Sequence, residues 1–391
     1  MRNLLVLMSF LAVVSDTMLH PFYPQFFREA FEITDTRHTG MYMAAICLMV
    51  MLAFPFWAWV SRRVPVLRIL VYAQLVAAVL CMYLFGTADL TWFWVVSLLM
   101  IFCKGSYLLV YPYLMQIIDR QQHSSTIGML SVIAYFGAIA GAVLGGLMTE
   151  VWPPRYIFPV MALGDVAGMG ISLYLLRRHR NVATVKAEEE KEAKGMPWSG
   201  ILRLGAITLL FYFSAFMIRP FFTLYWEAVS GLDNRILSGL TYAIPGLVAL
   251  VALWWYHRYG GEHESAYGRI IPAMLVGLAG LLLQATPYGW VVIAGRLVYG
   301  WAVYLAVVQF DVLLFSLSTP AAYAADYSKV HFFHNLGVLL ASFTVGILVD
   351  SQGLDIPFYI AAGGFGLTAT LFFITYRAQV SSARNTRILS T

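Results

Sequence analysis

The sequence predicts an all-α polytopic membrane protein, with twelve transmembrane helices in two six-helix bundles. Three observations carry this. Of 391 residues, 60% are hydrophobic and 12% charged, with a mean hydropathy of +0.74. Soluble domains hold about 45–50% apolar and about 25% charged residues. Half the usual charge does not coat a water-soluble protein of this size. An ordinary cytosolic enzyme, a secreted disulfide scaffold and a disordered chain are therefore excluded. Second, apolar runs near the roughly 20 residues that cross a bilayer recur twelve times. Third, the two halves of the chain repeat a pattern of prolines and glycines.

The runs are 3–26, 38–60, 66–86, 91–117, 125–149, 156–176, 201–226, 236–256, 269–286, 290–317, 331–349 and 356–376. Spans of this length leave short loops and no room for a large soluble domain. The first run follows Arg2 like a signal peptide, but no A-x-A cleavage site follows and apolar sequence continues past Asp16. Cys47, Cys81 and Cys103 fall inside apolar runs with no metal or redox spacing, so they read as small buried hydrophobes.

Lysine and arginine set the orientation. With the N-terminus placed in the cytoplasm, 18 of the 25 basic residues fall on the cytoplasmic side. Only Arg28, Arg37, Arg155 and Arg235 fall outside. Both termini are thus expected in the cytoplasm. The charged stretch 177–200 joins the sixth span to the seventh as a cytoplasmic linker. It separates an N-terminal bundle (1–176) from a C-terminal bundle (201–376), and 377–391 form a cytoplasmic tail.

The halves repeat at an offset of 199–200. Ser15-Asp16-Thr17-Met18-Leu19-His20-Pro21-Phe22-Tyr23 aligns with Ser214-Ala215-Phe216-Met217-Ile218-Arg219-Pro220-Phe221-Phe222, and Gly40 falls on Gly239. In the fifth span of each half, Gly137, Gly141, Gly146 and Glu150 fall on Gly337, Ala341, Gly346 and Asp350. A twelve-span chain of two parallel halves with a cytoplasmic linker resembles the major facilitator superfamily, over its whole length. The resemblance implies that spans 1, 4, 7 and 10 line a central cavity and that the halves rock to expose it to alternate sides.

Two family motifs bear on this. The loop after span two usually reads Gly-x-x-x-Asp-Arg-x-Gly-Arg-Arg. Here it is Trp57-Ala58-Trp59-Val60-Ser61-Arg62-Arg63-Val64-Pro65, basic but with Ser61 in place of the aspartate. Exporters of the family often carry G-x8-G-x3-G-P-x2-G-G in span five. This chain has Gly128, Gly137, Gly141, Ala142, Gly145 and Gly146, with Ala142 replacing the proline. These glycines serve close helix packing, either alone or within the antiporter-type helix that the resemblance implies.

Ionisable residues inside spans cost at least about 2.5 kcal/mol on insertion scales, so they tend to face protein or water and carry function. Asp16, Lys104, Asp165, Arg219, Arg296 and Asp311 are of this kind, and all but Asp165 lie on spans 1, 4, 7 and 10. At about 1.5 Å per residue, Asp16 and Lys104 both reach the bilayer centre. Desolvation favours a neutral carboxyl, and a neighbouring cation favours the charged form. Asp16 alternating between Lys104 and a proton is the candidate coupling device; the alternative is a static ion pair. Asp165 has no assigned role. Asp311, near the cytoplasmic end of span 10, is a gate salt bridge or merely solvated.

His20, Tyr23, Arg219, Phe222 and Arg296 are the candidate substrate-binding residues. Arginine matches carboxylates bidentately, so an anionic or amphipathic ligand is expected. The alternative is that the arginines snorkel to the interface and the rings form an aromatic belt. His331 and His334 open span 11, where a surface role or proton shuttling suits them. No G-x4-G-K-[ST], H-E-x-x-H, G-x-S-x-G or G-x-G-x-x-G occurs. No cofactor or metal is implied, and the chain is not expected to be an enzyme. The leading expectation is a proton-coupled secondary transporter exporting a metabolite, siderophore or drug by alternating access. The alternatives are a proton symporter importing an organic acid or sugar, and a membrane-embedded sensor. The expected partners are a small-molecule substrate, protons and the lipid bilayer, with no nucleic acid. A monomer in the bacterial inner membrane is expected.

Overall fold

The computed structural model describes residues 2–61, 63–110, 113–114, 123–178, 195–259, 266–319 and 322–380. Of 123–129, 131, 256–259 and 323–325 it describes the backbone alone. The central part of the linker, the end of the tail, Arg62 and the surroundings of Gly128 lie outside this description.

The described residues are helical, with no strand. The helices are α1 (Arg2–Thr17), α2 (Tyr23–Phe31), α3 (Thr36–Ser61), α4 (Val66–Gly86), α5 (Leu90–Lys104), α6 (His123–Val151) and α7 (Ile157–Arg178) in the first half. The second half has α8 (Trp198–Met217), α9 (Phe222–Ser230), α10 (Arg235–Tyr259), α11 (Ala266–Gln284), α12 (Gly289–Leu317), α13 (Tyr323–Gln352) and α14 (Ile356–Thr375). Among the described residues, twelve stretches are long and apolar enough to cross a membrane.

Polar residues at the helix ends fix several boundaries. The Asp89 carboxylate accepts from the Trp92 amide at the start of α5 (2.8 Å), and Asn234 accepts from Leu237 at the start of α10 (2.9 Å). Each satisfies an amide that the helix itself leaves unpaired.

Spans one and seven are broken, where the sequence suggests continuous helices. Span one pauses at Met18–Phe22 before α2, and span seven pauses at Ile218–Phe221 before α9. Pro21 and Pro220 remove an amide donor at matching points, so neither helix runs through. The residues entering the second segment have nearly the same backbone: Phe22 at φ −116°, ψ 11° and Phe221 at φ −115°, ψ 9°. Both second segments end in the left-handed region, at Glu32 (φ 58°) and Gly231 (φ 67°). Helix starts keep the same offset: Thr36 with Arg235, Val66 with Ala266, Leu90 with Gly289, Ile157 with Ile356. The internal repeat is thus visible in the backbone.

Contacts divide the chain into two compact units: Met1–Glu188 with Asp233–Ala243, and Glu189–Leu232 with Ile244–Thr391. The start of α10 therefore belongs to the first unit, and the division falls just before Pro245 inside that helix. In the first unit α1 packs on α6 and α7, and α4 on α5 and α7; in the second, α8 packs on α13 and α14, and α11 on α12 and α14. The first unit's larger core is aromatic, with Phe22, Phe26, Phe27, Tyr42, Phe93 and Phe158 fully buried. Large apolar side chains such as Tyr72, Val79, Trp254, Trp290 and Leu367 are exposed, as expected of surfaces that face lipid.

Candidate functional site

Three helices of the first unit bring three charged side chains together. Asp16 is in the last turn of α1. Lys104 ends α5, where the helix tightens into a 3-10 turn over Gly105–Leu109. Asp165 is in the first half of α7. Small residues allow this convergence. A Cβ on Gly164 would overlap the Ser15 hydroxyl, and one on Gly105 would come within 2.6 Å of the Ala53 Cβ. α7 can thus close on α1, and the Lys104 turn can close on α3.

Lys104 Nζ lies 2.8 Å from Asp165 Oδ1 and 3.0 Å from Asp16 Oδ1. The two contacts differ in kind. Lys104 donates a hydrogen bond to Asp165, whose second oxygen accepts from the Cys81 thiol at 3.6 Å. Asp16 Oδ1 is buried without a hydrogen-bond partner, so it is held by charge alone. The Asp165 side chain is 7% exposed and that of Asp16 22%. Asp165 is the hydrogen-bonded, more enclosed carboxylate, and Asp16 the more accessible one. With all three groups ionised, the cluster carries one net negative charge.

The sequence pairs Asp16 with Lys104 by depth and gives Asp165 no role. The two residues do meet, and Asp165 joins them. The family pattern puts span six at the periphery, which hid this contact. The available signal was Gly164 beside Asp165, with Gly168 one turn on. A Cβ at Gly168 would come within 2.7 Å of the Gln74 amide.

The second half fills the equivalent place differently. Gly364 faces Ser214 as Gly164 faces Ser15, so the helix crossing is the same. At the repeat positions of Asp16, Lys104 and Asp165 stand Ala215, Val303 and Phe365. Phe365 packs against Phe211 and Tyr299 in an apolar core. The bundle can therefore be built without the charges.

The span-five glycines make intimate contacts. Gly137, Gly141 and Gly145 lie along α1: a Cβ would overlap Val13, Thr17 and the Met18 carbonyl respectively. Gly146 instead faces the Arg235 carbonyl at the start of α10, and Gly239 faces the Ala142 carbonyl. Arg235 ties the same region together. Its guanidinium pairs with Glu29 and donates to the Thr149 carbonyl (2.7 Å), and its amide donates to Glu150 (2.8 Å). A cleft of about 490 Å³ opens beside this clasp, walled by Trp152, Pro153 and Pro154.

The predicted substrate residues fall into two groups. Tyr23 is buried against Tyr42 and Phe27, Phe222 is buried against Phe358, and Arg296 is buried with its guanidinium 3.8 Å above the Phe222 ring. Arg219 is exposed and lies 3.9 Å over Phe216; His20 is partly exposed. Lys104 lies between two carboxylates. Asp311 is partly buried on α12 and makes no ion pair among the described residues. His331 and His334 sit in a ring stack in the second unit, both partly exposed.

The chain is similar to known proteins along its length. The relative Multidrug resistance protein MdtG of Salmonella choleraesuis (strain SC-B67) is 23% identical over 383 residues, which span 93% of this chain and 92% of that protein. The crystal structure of a point mutant of the nucleoside transporter NupG superposes with a TM-score of 0.74 at 15% identity, covering 96% of this chain and 99% of the other. An auto-inhibited POT family peptide transporter gives 0.80 at 11% identity, covering 96% of each. At these identities the structures speak to the fold. Residues 5–282 match the family model of the Major Facilitator Superfamily. A multi-pass helical chain whose two halves repeat the same helix order, matched by that model over most of its length, belongs to the major facilitator superfamily and is a membrane transporter of small molecules rather than an enzyme.

Proposed function

We propose that this transporter is a proton-coupled exporter, and that the Asp16–Lys104–Asp165 triad binds the coupling proton. One observation carries the reading. The triad places one cation between two carboxylates in a buried site that the second bundle builds from apolar side chains. Buried ion clusters are often no more stabilising than well-packed hydrophobes, so the structural repeat gives no reason to keep this one. Proton binding does. An uncompensated negative charge in a desolvated site is relieved by a single proton. Asp16 is the group to take it, because it lacks the hydrogen bonds that hold Asp165.

Export is supported by the span-five glycines and by the multidrug resistance name of the MdtG relative. The substrate is a small amphipathic organic molecule. Of the candidate cations, Arg219 retains exposed surface and is assigned its anionic group. Gly137, Gly141 and Gly145 hold α6 against α1, next to Asp16, and so limit water access to the triad. The termini are cytoplasmic and the membrane is the bacterial inner membrane. The chain acts as a monomer.

The test uses inside-out vesicles from cells expressing wild type or Asp16→Asn, with candidate amphipathic anions supplied in the bath. An imposed pH gradient drives accumulation by wild type, and Asp16→Asn abolishes that accumulation while retaining substrate exchange. Wild-type accumulation that ignores the gradient overturns the coupling, and uptake in intact cells that depletes the medium overturns export.

A further inference from the structure

The second unit holds a cluster of titratable side chains that the triad does not use. His331 and His334 lie one turn apart on α13. The His334 ring is stacked on Tyr212 of α8, with centroids 3.1 Å apart and planes 13° from parallel. His331 lies 4.8 Å from His334 and 3.9 Å from Tyr327. Tyr327 in turn stacks on Phe315 of α12. The rings form a ladder from an exposed end, at Tyr327 and Phe315, to a half-buried one at His334. There, Nδ1 has no hydrogen-bond partner.

That nitrogen is the informative atom. A neutral imidazole has one N–H and one acceptor nitrogen. Leaving a buried polar atom unpaired costs about 1–3 kcal/mol. A phenyl ring would make the same stack without that cost. The first bundle makes the equivalent crossing of α1 and α6 without imidazoles: the repeat positions of Tyr212, His331 and His334 are Val13, Ser131 and Ala134. As with the triad, one bundle carries ionisable groups where the other shows that packing does not require them.

We propose that His331 and His334 form a second proton-binding site, loaded from the Tyr327 end, and that a proton on His334 separates its ring from Tyr212. The inference rests on the chain being proton-coupled and adds a site in the other bundle. A protonated imidazole has two N–H donors, and Nδ1–H finds no acceptor in the stacked position. The surrounding groups set the response. From α8, Tyr212 presents its ring face, and Arg219, in the break after α8, acts as a like charge within electrostatic range. On α13, His331 is the next acceptor toward the exposed end. α12 contributes Arg296, engaged with Phe222, and the carboxylate of Asp311, while α14 carries no charged residue. Stack and proton therefore compete, and the outcome moves α13 against α8.

The protein has 8 histidines. Full-length protein labelled with ¹⁵N-histidine in lipid nanodiscs is titrated from pH 5.5 to 8. His334 is assigned with His334→Phe, which keeps a ring in the stack, and independently with a variant retaining His334 alone. The ratio of protonated to neutral imidazole is expected to change about tenfold per pH unit, and His331→Gln is expected to shift the His334 curve. Substrate exchange in proteoliposomes, with equal pH on both sides, is expected to lose its pH dependence in His334→Phe. A His334 that stays in one neutral tautomer across the range overturns the proposal, as does an unchanged pH profile in His334→Phe. Gradient-driven transport by wild type is measured in the same preparation. Driven transport with a silent His334 removes only this second site. A titrating His334 without driven transport removes the coupling reading and leaves His334 a proton-binding group.

Discussion

Replacing Lys104 by methionine isolates the electrostatics of the triad. Methionine approximates the length of the lysine stem, so packing changes little while the charge is lost. Lys104 lies within 3.0 Å of both carboxylates, and its removal leaves two buried anions facing one another. Breaking a buried pair by removing one partner costs about 3–5 kcal/mol. The protein can limit that cost by taking up protons. Protonating one ordinary carboxyl at pH 7 costs about 4 kcal/mol, three pH units at about 1.4 kcal/mol each. Because the folded variant then binds a proton that the unfolded chain does not, stability falls as pH rises. The slope is about 1.4 kcal/mol per pH unit for each proton taken up. The expected result is a lower thermal unfolding midpoint for Lys104→Met at pH 7.5, recovering substantially at pH 5.5, whereas wild type changes little. Adding Asp16→Asn and Asp165→Asn to the variant removes the excess charge and the pH dependence together. Dye-monitored unfolding of detergent-purified protein reads all of this. If Lys104→Met unfolds at the wild-type temperature at both pH values, the three groups do not form an electrostatic unit.

Asp165→Asn removes the hydrogen-bonded partner of Lys104 and is expected to lower the unfolding midpoint more than Asp16→Asn, measured side by side; the reverse order would make Asp16 the anchor. Gly145→Val places a side chain into the Met18 carbonyl and is expected to cut the yield of folded protein on size exclusion, with Gly170→Val, which meets nothing within 4 Å, as the tolerated control. Arg235→Ala removes the ion pair to Glu29 and the bond to Thr149. Charged hydrogen bonds contribute about 1.5–3 kcal/mol, less with partial exposure, so a modest fall in the midpoint is expected, shrinking at high salt.

The fold was legible because its signals are long. Twelve apolar runs need only length and composition to be recognised, and Pro21 and Pro220 carry the repeat at one offset. What the apolar pattern could not give was the break in spans one and seven. A hydrophobic run continues through a helix interruption without changing composition, and only the prolines mark it. The site was half legible. Asp16 and Lys104 stand out because charge is rare in a span, and depth alone brings them level. Asp165 is equally rare, but its partner depends on which face of α7 meets α4 and α1. That is set by Gly164 and Gly168, a packing signal that reads the same whether or not a charge lies beside it. Arg296 and Lys104 look alike as buried cations in sequence, yet one lies on a ring and the other between carboxylates.

The repeat turns these differences into an argument about function. Two halves descended from one helix order solve the same packing problem, so wherever they agree, at Gly164 with Gly364 or Phe22 with Phe221, the shared feature suffices to explain the fold. Where they differ, packing is not the explanation, because the other half packs without the feature. The first half differs by an acid–base triad and the second by an imidazole ladder. Each bundle thus carries its own ionisable cluster at a crossing that its counterpart makes without one: Ala215, Val303 and Phe365 against the triad, Val13, Ser131 and Ala134 against the ladder. A transporter that changes shape with proton binding needs groups whose charge alters the packing around them. Lys104, held by one carboxylate and merely attracted by another, and His334, stacked with a nitrogen left unpaired, are side chains whose surroundings suit one charge state and not the other. Neutralising either cluster is therefore expected to leave a stable bundle that no longer responds to pH, a combination that separates a coupling group from a structural one.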